Sequence, residues 1–108
     1  MKRTYNKLIR DKIPELIEKS GRKYTSRVLN DQEYHEALID KIIEEIGEYR
    51  ETGNEEEIAD IYEALDCLVR FKNYEPMRID YLKLIRRETT GSFNDRIFLI
   101  DVEDTNRT

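Results

Sequence analysis

The chain has 108 residues, 38% of them hydrophobic and 40% charged, with no Trp and a formal net charge of −5. No apolar run approaches the roughly 18 residues that span a bilayer, and the basic N-terminus lacks a following apolar stretch, so neither a membrane span nor a secretory leader is expected. Cys67 is the single cysteine and His35 the single histidine, which excludes an intrachain disulfide and a Cys-based metal site; one cytoplasmic domain over residues 1–108 is the expectation.

A 108-residue chain this poor in apolar residues builds a thin core, which favours a homodimer or homotetramer. The charge is unevenly spread. Residues 1–30 carry nine Lys/Arg against three Asp/Glu, residues 31–63 two against thirteen, and residues 64–108 eight against eight. Such an arrangement fits a partner that is itself anionic and metal-bound, and the acidic balance disfavours nucleic acid.

In chain order, Ile13, Leu16 and Ile17 recur at helical spacing between about Asp11 and Ser20, with Pro14 in the first turn and Gly21 as the stop. Residues 22–29 read as an extended connection. Asn30 and Glu33 stand at capping-box spacing and open the longest helix, which runs to about Glu51 and ends at Thr52-Gly53-Asn54. Asn54 and Glu57 repeat the cap spacing and open a third helix to about Asn73. Pro76 suits the first position of a fourth helix, which ends near Thr90 before Gly91-Ser92. The tail is apolar, short, and strand-like or irregular. The fold class is therefore all-α, a small bundle of about four helices with a short extended C-terminal tail.

Two long helices joined by so short a turn are antiparallel neighbours. With Ile42 at zero on a helical wheel, Leu38, Ile46 and Tyr49 fall within about 40° and define an expected buried stripe. Glu45 falls near −60°, at the edge of that stripe, and Glu48 about one turn on. On the third helix, with Ile61 at zero, Glu57 lies near −40° and Asp60 near −100°, and the small Ala64 leaves room beside them. Two carboxylate pairs on facing helices repel unless compensated. Hard oxygen donors with no His or Cys suit Mg²⁺, with Mn²⁺ the other candidate. The bland alternative for each acid is a solvated face, a helix cap at Glu57, or ion pairs of Glu44 and Glu48 with Lys41 and Arg50. Gly47, inside the helix, is expected to permit close helix approach.

The run Glu44-Glu45-x-x-Glu48 followed by Glu57-x-x-Asp60 resembles the EExxE…ExxD signature of the MazG-like and phosphoribosyl-ATP pyrophosphohydrolase superfamily, the all-α NTP pyrophosphatases. The opening Tyr5-Asn6-Lys7-Leu8-Ile9-Arg10-Asp11-Lys12-Ile13-Pro14-Glu15 is similar to that of a small subgroup of the superfamily. Gly91-Ser92-Phe93-Asn94-Asp95-Arg96-Ile97-Phe98-Leu99 is similar to the same subgroup's ending. The resemblance implies a helical, usually dimeric bundle that hydrolyses a nucleoside triphosphate to the monophosphate and pyrophosphate with Mg²⁺. It places the metal ligands at Glu45, Glu48, Glu57 and Asp60, with Glu44 auxiliary, and the proton-accepting role at Glu44 or Glu48. Arg10, Lys12 and Arg96 become candidates for the substrate phosphates. Subgroup resemblance favours a housekeeping substrate over phosphoribosyl-ATP. Two departures stand out: the Glu48–Glu57 spacing is short, and Thr89-Thr90 precede Gly91-Ser92 where relatives tend to carry a basic residue. Two other classes fit the same features: a non-catalytic metal- and nucleotide-binding module of this fold, and a plain helical oligomer with an acidic face.

Overall fold

A computed structural model describes residues 1–105. Four helices run α1 (Ile13–Lys19), α2 (Asp31–Thr52), α3 (Glu55–Phe71) and α4 (Pro76–Thr89), and no strand occurs among the described residues. The all-helical expectation holds, the tail is irregular, and no helix is long and apolar enough to cross a membrane. The chain divides into two compact units, one ending at Tyr74 and the other beginning at Glu75.

In the first unit, Asn30 caps α2 through a reciprocal box: its side chain accepts from the Glu33 backbone N–H, and the Glu33 carboxylate accepts from the Asn30 N–H. Arg27 adds a two-pronged contact to the same carboxylate, at 3.0 and 2.8 Å. Together the Arg27 bonds and then the Asn30 N–H lower the Glu33 carboxyl to about 2. A depressed carboxyl contributes stability above its ordinary value and loses it as pH falls through the depressed one. The contribution of the Glu33 carboxylate thus fades as pH falls from the ordinary carboxylate range to about 2, while the bond from the Glu33 N–H to Asn30 does not titrate. A carboxyl carbon-13 titration in Arg27→Ala should show Glu33 moving back up toward ordinary values, with the Asn30 bond alone left to hold it down.

Gly53 ends α2 at φ +67, a left-handed residue whose N–H donates to the Tyr49 carbonyl, where any Cβ is strained. The chain re-enters a helix two residues later, so α2 and α3 pack as an antiparallel pair. The expected Asn54–Glu57 box does not form. The Asn54 side chain makes no cap bond, and its own N–H donates to Thr52 Oγ1. Glu57 is therefore released from capping.

The core of this pair is very small. Leu38 on α2 and Ala64 on α3 are the buried apolar residues among those described, and Tyr34 meets Phe71 edge-on at 5.1 Å. The expected stripe through Ile46 and Tyr49 is not buried: these residues are 47% and 41% exposed. The reason is rotational. Leu38 and Glu45 are seven residues apart, as are Glu57 and Ala64, and a seven-residue step returns to the same face within about 20°. The seam therefore runs along Leu38–Glu45 and Glu57–Ala64, with the carboxylates inside it.

Nor is Gly47 a close-approach residue, since a Cβ built on it meets nothing within 4 Å. Gly47→Ala should stabilise the metal-free protein by up to about 1 kcal/mol through helix propensity alone, read as a raised thermal midpoint. A fall would mean that something outside the single chain rests on that position.

In the second unit, Pro76 lies in the first turn of α4, and the helix ends at Thr90, whose N–H donates to Arg86 O. Gly91 at φ +87 and Arg96 at φ +59 turn the chain that follows.

Candidate functional site

Two facing helices hold the acids. Glu45 is 4% exposed, the only charged residue buried among those described. Lys41, one turn earlier, reaches its Oε1 at 3.2 Å, while Glu45 Oε2 is buried with no hydrogen-bond partner. Burial pushes this carboxyl up; the nearby Glu48 and Asp60 charges add to the push, and Lys41 opposes it. An ionised oxygen so placed costs roughly 1–3 kcal/mol if nothing pairs with it.

Glu44, Glu45 and Glu48 each bring a carboxylate oxygen within 4.8 Å of the others. Glu44 is half-buried and Glu48 exposed. On α3, Glu57 Oε2 is likewise buried and unpartnered. Asp60 lies near enough to Glu45 to raise it, but its own carboxylate accepts from Arg10. The four expected ligands thus separate. Glu45 and Glu48 converge together with Glu44, the residue expected to be auxiliary. Glu57 offers a second orphan oxygen from the facing helix, and Asp60 is engaged by a guanidinium.

The N-terminal segment supplies the counter-charges. Lys7 Nζ donates to Glu44 at 2.9 Å, and that bond lowers the Glu44 carboxyl, as Lys41 does at longer range. Arg10 is raised by its bond to Asp60, with Glu63 and Glu45 adding to the effect. The basic opening and the acidic middle therefore meet at one place. Lys7 stands inside the opening motif but was not among the expected site residues; its signal was the charge asymmetry itself. Lys12, exposed, occupies the N-cap of α1. Arg96 belongs to the second unit, in the turn where its N–H donates to Phe93 O at 3.3 Å.

The second unit has a groove of its own, about 350 Å³, with Lys83, Arg86, Arg87 and Phe93 among its walls. Its volume does not make it the reactive site. Cations and an aromatic ring cannot hold a divalent cation, whereas a buried, partnerless carboxylate oxygen beside two more carboxylates can.

No family model matches the chain, and no solved structure matches it. A protein of Mycolicibacterium smegmatis described as uncharacterized is 54% identical over 43 residues, which are 40% of this chain and 44% of that protein. The chain therefore spans less than half the length of the curated relative it matches.

Proposed function

We propose that the protein is a Mg²⁺-dependent nucleoside triphosphate pyrophosphohydrolase, Mn²⁺ serving in place of Mg²⁺, with a cytoplasmic housekeeping role and a homodimeric or homotetrameric state. One observation carries this reading: Glu45 is buried, with Oε2 unpartnered beside the Glu44 and Glu48 carboxylates. The sequence resemblance to the MazG-like and phosphoribosyl-ATP pyrophosphohydrolase superfamily supplies the reaction class.

The donor set fits a hard cation. Glu45, Glu48 and Glu44 would hold it, with Glu57 Oε2 the natural addition from α3 and Asp60 available once Arg10 releases it. When bound, Mg²⁺ neutralises phosphate charge and acidifies water. Glu48 suits the proton-accepting role better than Glu44. Glu44 is tied to Lys7 and Lys41, whereas Glu48 makes no ion pair among the described residues. Arg10 is the strongest phosphate contact of the three cations named from sequence, because it already stands at the acids; Lys12 lies close by in the chain, and Arg96, in the second unit, is left out of this site. The substrate would be a nucleotide, cleaved to the monophosphate and pyrophosphate.

A second reading has its own observation. Lys7, Arg10 and Lys41 together contact Glu44, Glu45 and Asp60, so the cluster is partly neutralised from within and the same fold would serve as a non-catalytic module. A nucleotide panel with Mg²⁺ and Mn²⁺, read for monophosphate and pyrophosphate together, separates the two. Turnover of at least one nucleotide is expected. Thermal stabilisation by metal and nucleotide with no turnover across the panel would favour the module.

A further inference from the structure

Two segments of the chain lack any regular partner. Residues 22–29, RKYTSRVL, connect α1 to α2, and residues 97–104, IFLIDVED, follow the turn at Arg96. Among the described residues, no backbone N–H of 23–29 or of 97–104 donates a backbone hydrogen bond. No residue in either segment has a positive φ, so both backbones are free to adopt a strand.

The second segment is the more exposed to water. Ile97, Phe98, Leu99, Ile100 and Val102 are 85%, 87%, 73%, 86% and 72% exposed, and Val28 in the first segment is 96% exposed. A consecutive apolar run with a free backbone is the sort of segment that completes a sheet with another chain.

The two segments match in length and in charge. The first carries three cations and no acid, the second three acids and no cation. Laid antiparallel, Arg22 opposes Asp104 and Lys23 opposes Glu103. Tyr24 then opposes Val102, Val28 opposes Phe98 and Leu29 opposes Ile97. Opposite charges and apolar pairs facing across a ladder stabilise it, and like charges there destabilise it. The other pairings are poorer. A parallel register sets Leu29 against Asp104, and two tails paired with each other set Ile97 against Asp104 and Phe98 against Glu103.

We infer that residues 97–104 pair antiparallel with residues 22–29 of a second copy of this chain, each copy giving its tail and receiving the other's. The exchange closes under a two-fold axis, each partner using the same surfaces. Charge points to a second copy: each chain carries one basic and one acidic segment, so two copies satisfy both pairings at once. The inference rests on the self-association named above and on neither metal nor nucleotide.

The test uses full-length protein and two charge-reversal variants, Glu103→Lys/Asp104→Lys and Arg22→Glu/Lys23→Glu. Amide hydrogen exchange follows residues 22–29 and 97–104, and light scattering gives the mass. Wild type should be a dimer or larger with both segments protected. Each variant alone places like charges opposite one another in both ladders, so protection should fall by roughly tenfold or more. An equal mixture restores opposite charges in both ladders of the mixed dimer, so protection should return. Segments unprotected in a wild-type dimer would overturn the pairing while leaving self-association standing. Protection in a wild-type monomer, or its failure to return on mixing, would overturn the exchange between copies.

Discussion

Glu45→Gln should make the metal-free protein more stable and the metal-loaded protein less so. Burial raises the Glu45 carboxyl. A raised carboxyl contributes stability below its ordinary value and loses it as pH rises through the folded one. At neutral pH the ionised group therefore costs stability, and the neutral amide removes that cost. The expected gain is about 1 kcal/mol, or roughly 4–8 °C in thermal midpoint. Lys41 keeps Glu44 at 3.6 Å as a partner, so the substitution does not strand it. In saturating Mg²⁺ the order should reverse. Metal at a hundred times its dissociation constant stabilises wild type by about 2.7 kcal/mol, and the variant should lose most of that. Turnover should fall roughly a hundredfold or more, since even outer-shell changes at metal sites cost 10- to 100-fold. A Glu45→Gln protein that is less stable without metal, yet still stabilised by it, would show that Glu45 is structural.

Leu38→Ala should produce the largest loss of stability of any apolar truncation in the first unit. Leu38 is 2% exposed and is the largest fully buried side chain among those described. Removing it costs the transfer of its methyl groups and leaves a cavity between α2 and α3, together about 2–5 kcal/mol. A core this small has few neighbours to collapse into the space. Denaturant melts should show the midpoint drop with little change in slope. Ile43→Ala, at 62% exposed, serves as the contrast and should cost well under 1 kcal/mol in the monomer. If the two substitutions cost the same, the seam described above is not the core.

These two residues also show what the sequence made legible. Helix number and boundaries followed from punctuation: Asn30 with Glu33, Gly53, Pro76 and Gly91 each mark a local backbone requirement that acts without tertiary help. The α2 box formed where Asn30 and Glu33 could reciprocate and Arg27 reinforced them. At Asn54 the same spacing made no box, because the tight turn gave the Asn54 N–H to Thr52. Spacing alone carries no information about that competition.

The buried stripe was legible in period but not in phase. Apolar residues centred it on Ile42, whereas the observed seam lies about 50° away, on the face shared by Leu38 and Glu45. Hydrophobicity places such a face only when the whole apolar surface is buried in one chain. Here Ile43, Ile46, Tyr49, Tyr62 and Leu65 stay 41–67% exposed, so the pattern mixed two surfaces. The anomaly of Glu45 survived because a carboxylate inside an apolar period stands out whatever the phase. The cations were harder to read. Lys41 follows from helix spacing to Glu45, but Lys7 and Arg10 reach Glu44 and Asp60 across 37 and 50 residues of chain. Only the charge asymmetry between the first thirty residues and the next thirty hinted at those contacts.

The central claim is that the carboxylates of α2 and α3 hold a divalent cation, and Mn²⁺ binding followed by loss of the free-ion paramagnetic resonance signal tests it most directly. Wild type should bind Mn²⁺ saturably, Mg²⁺ should compete, and Glu45→Gln should weaken binding by roughly tenfold or more. Glu57→Gln should weaken it as well, which would bring the orphan oxygen of α3 into the same site. Weak, non-saturating binding that is identical in wild type and Glu45→Gln would contradict the metal centre and leave Lys7, Arg10 and Lys41 as the acids' only partners.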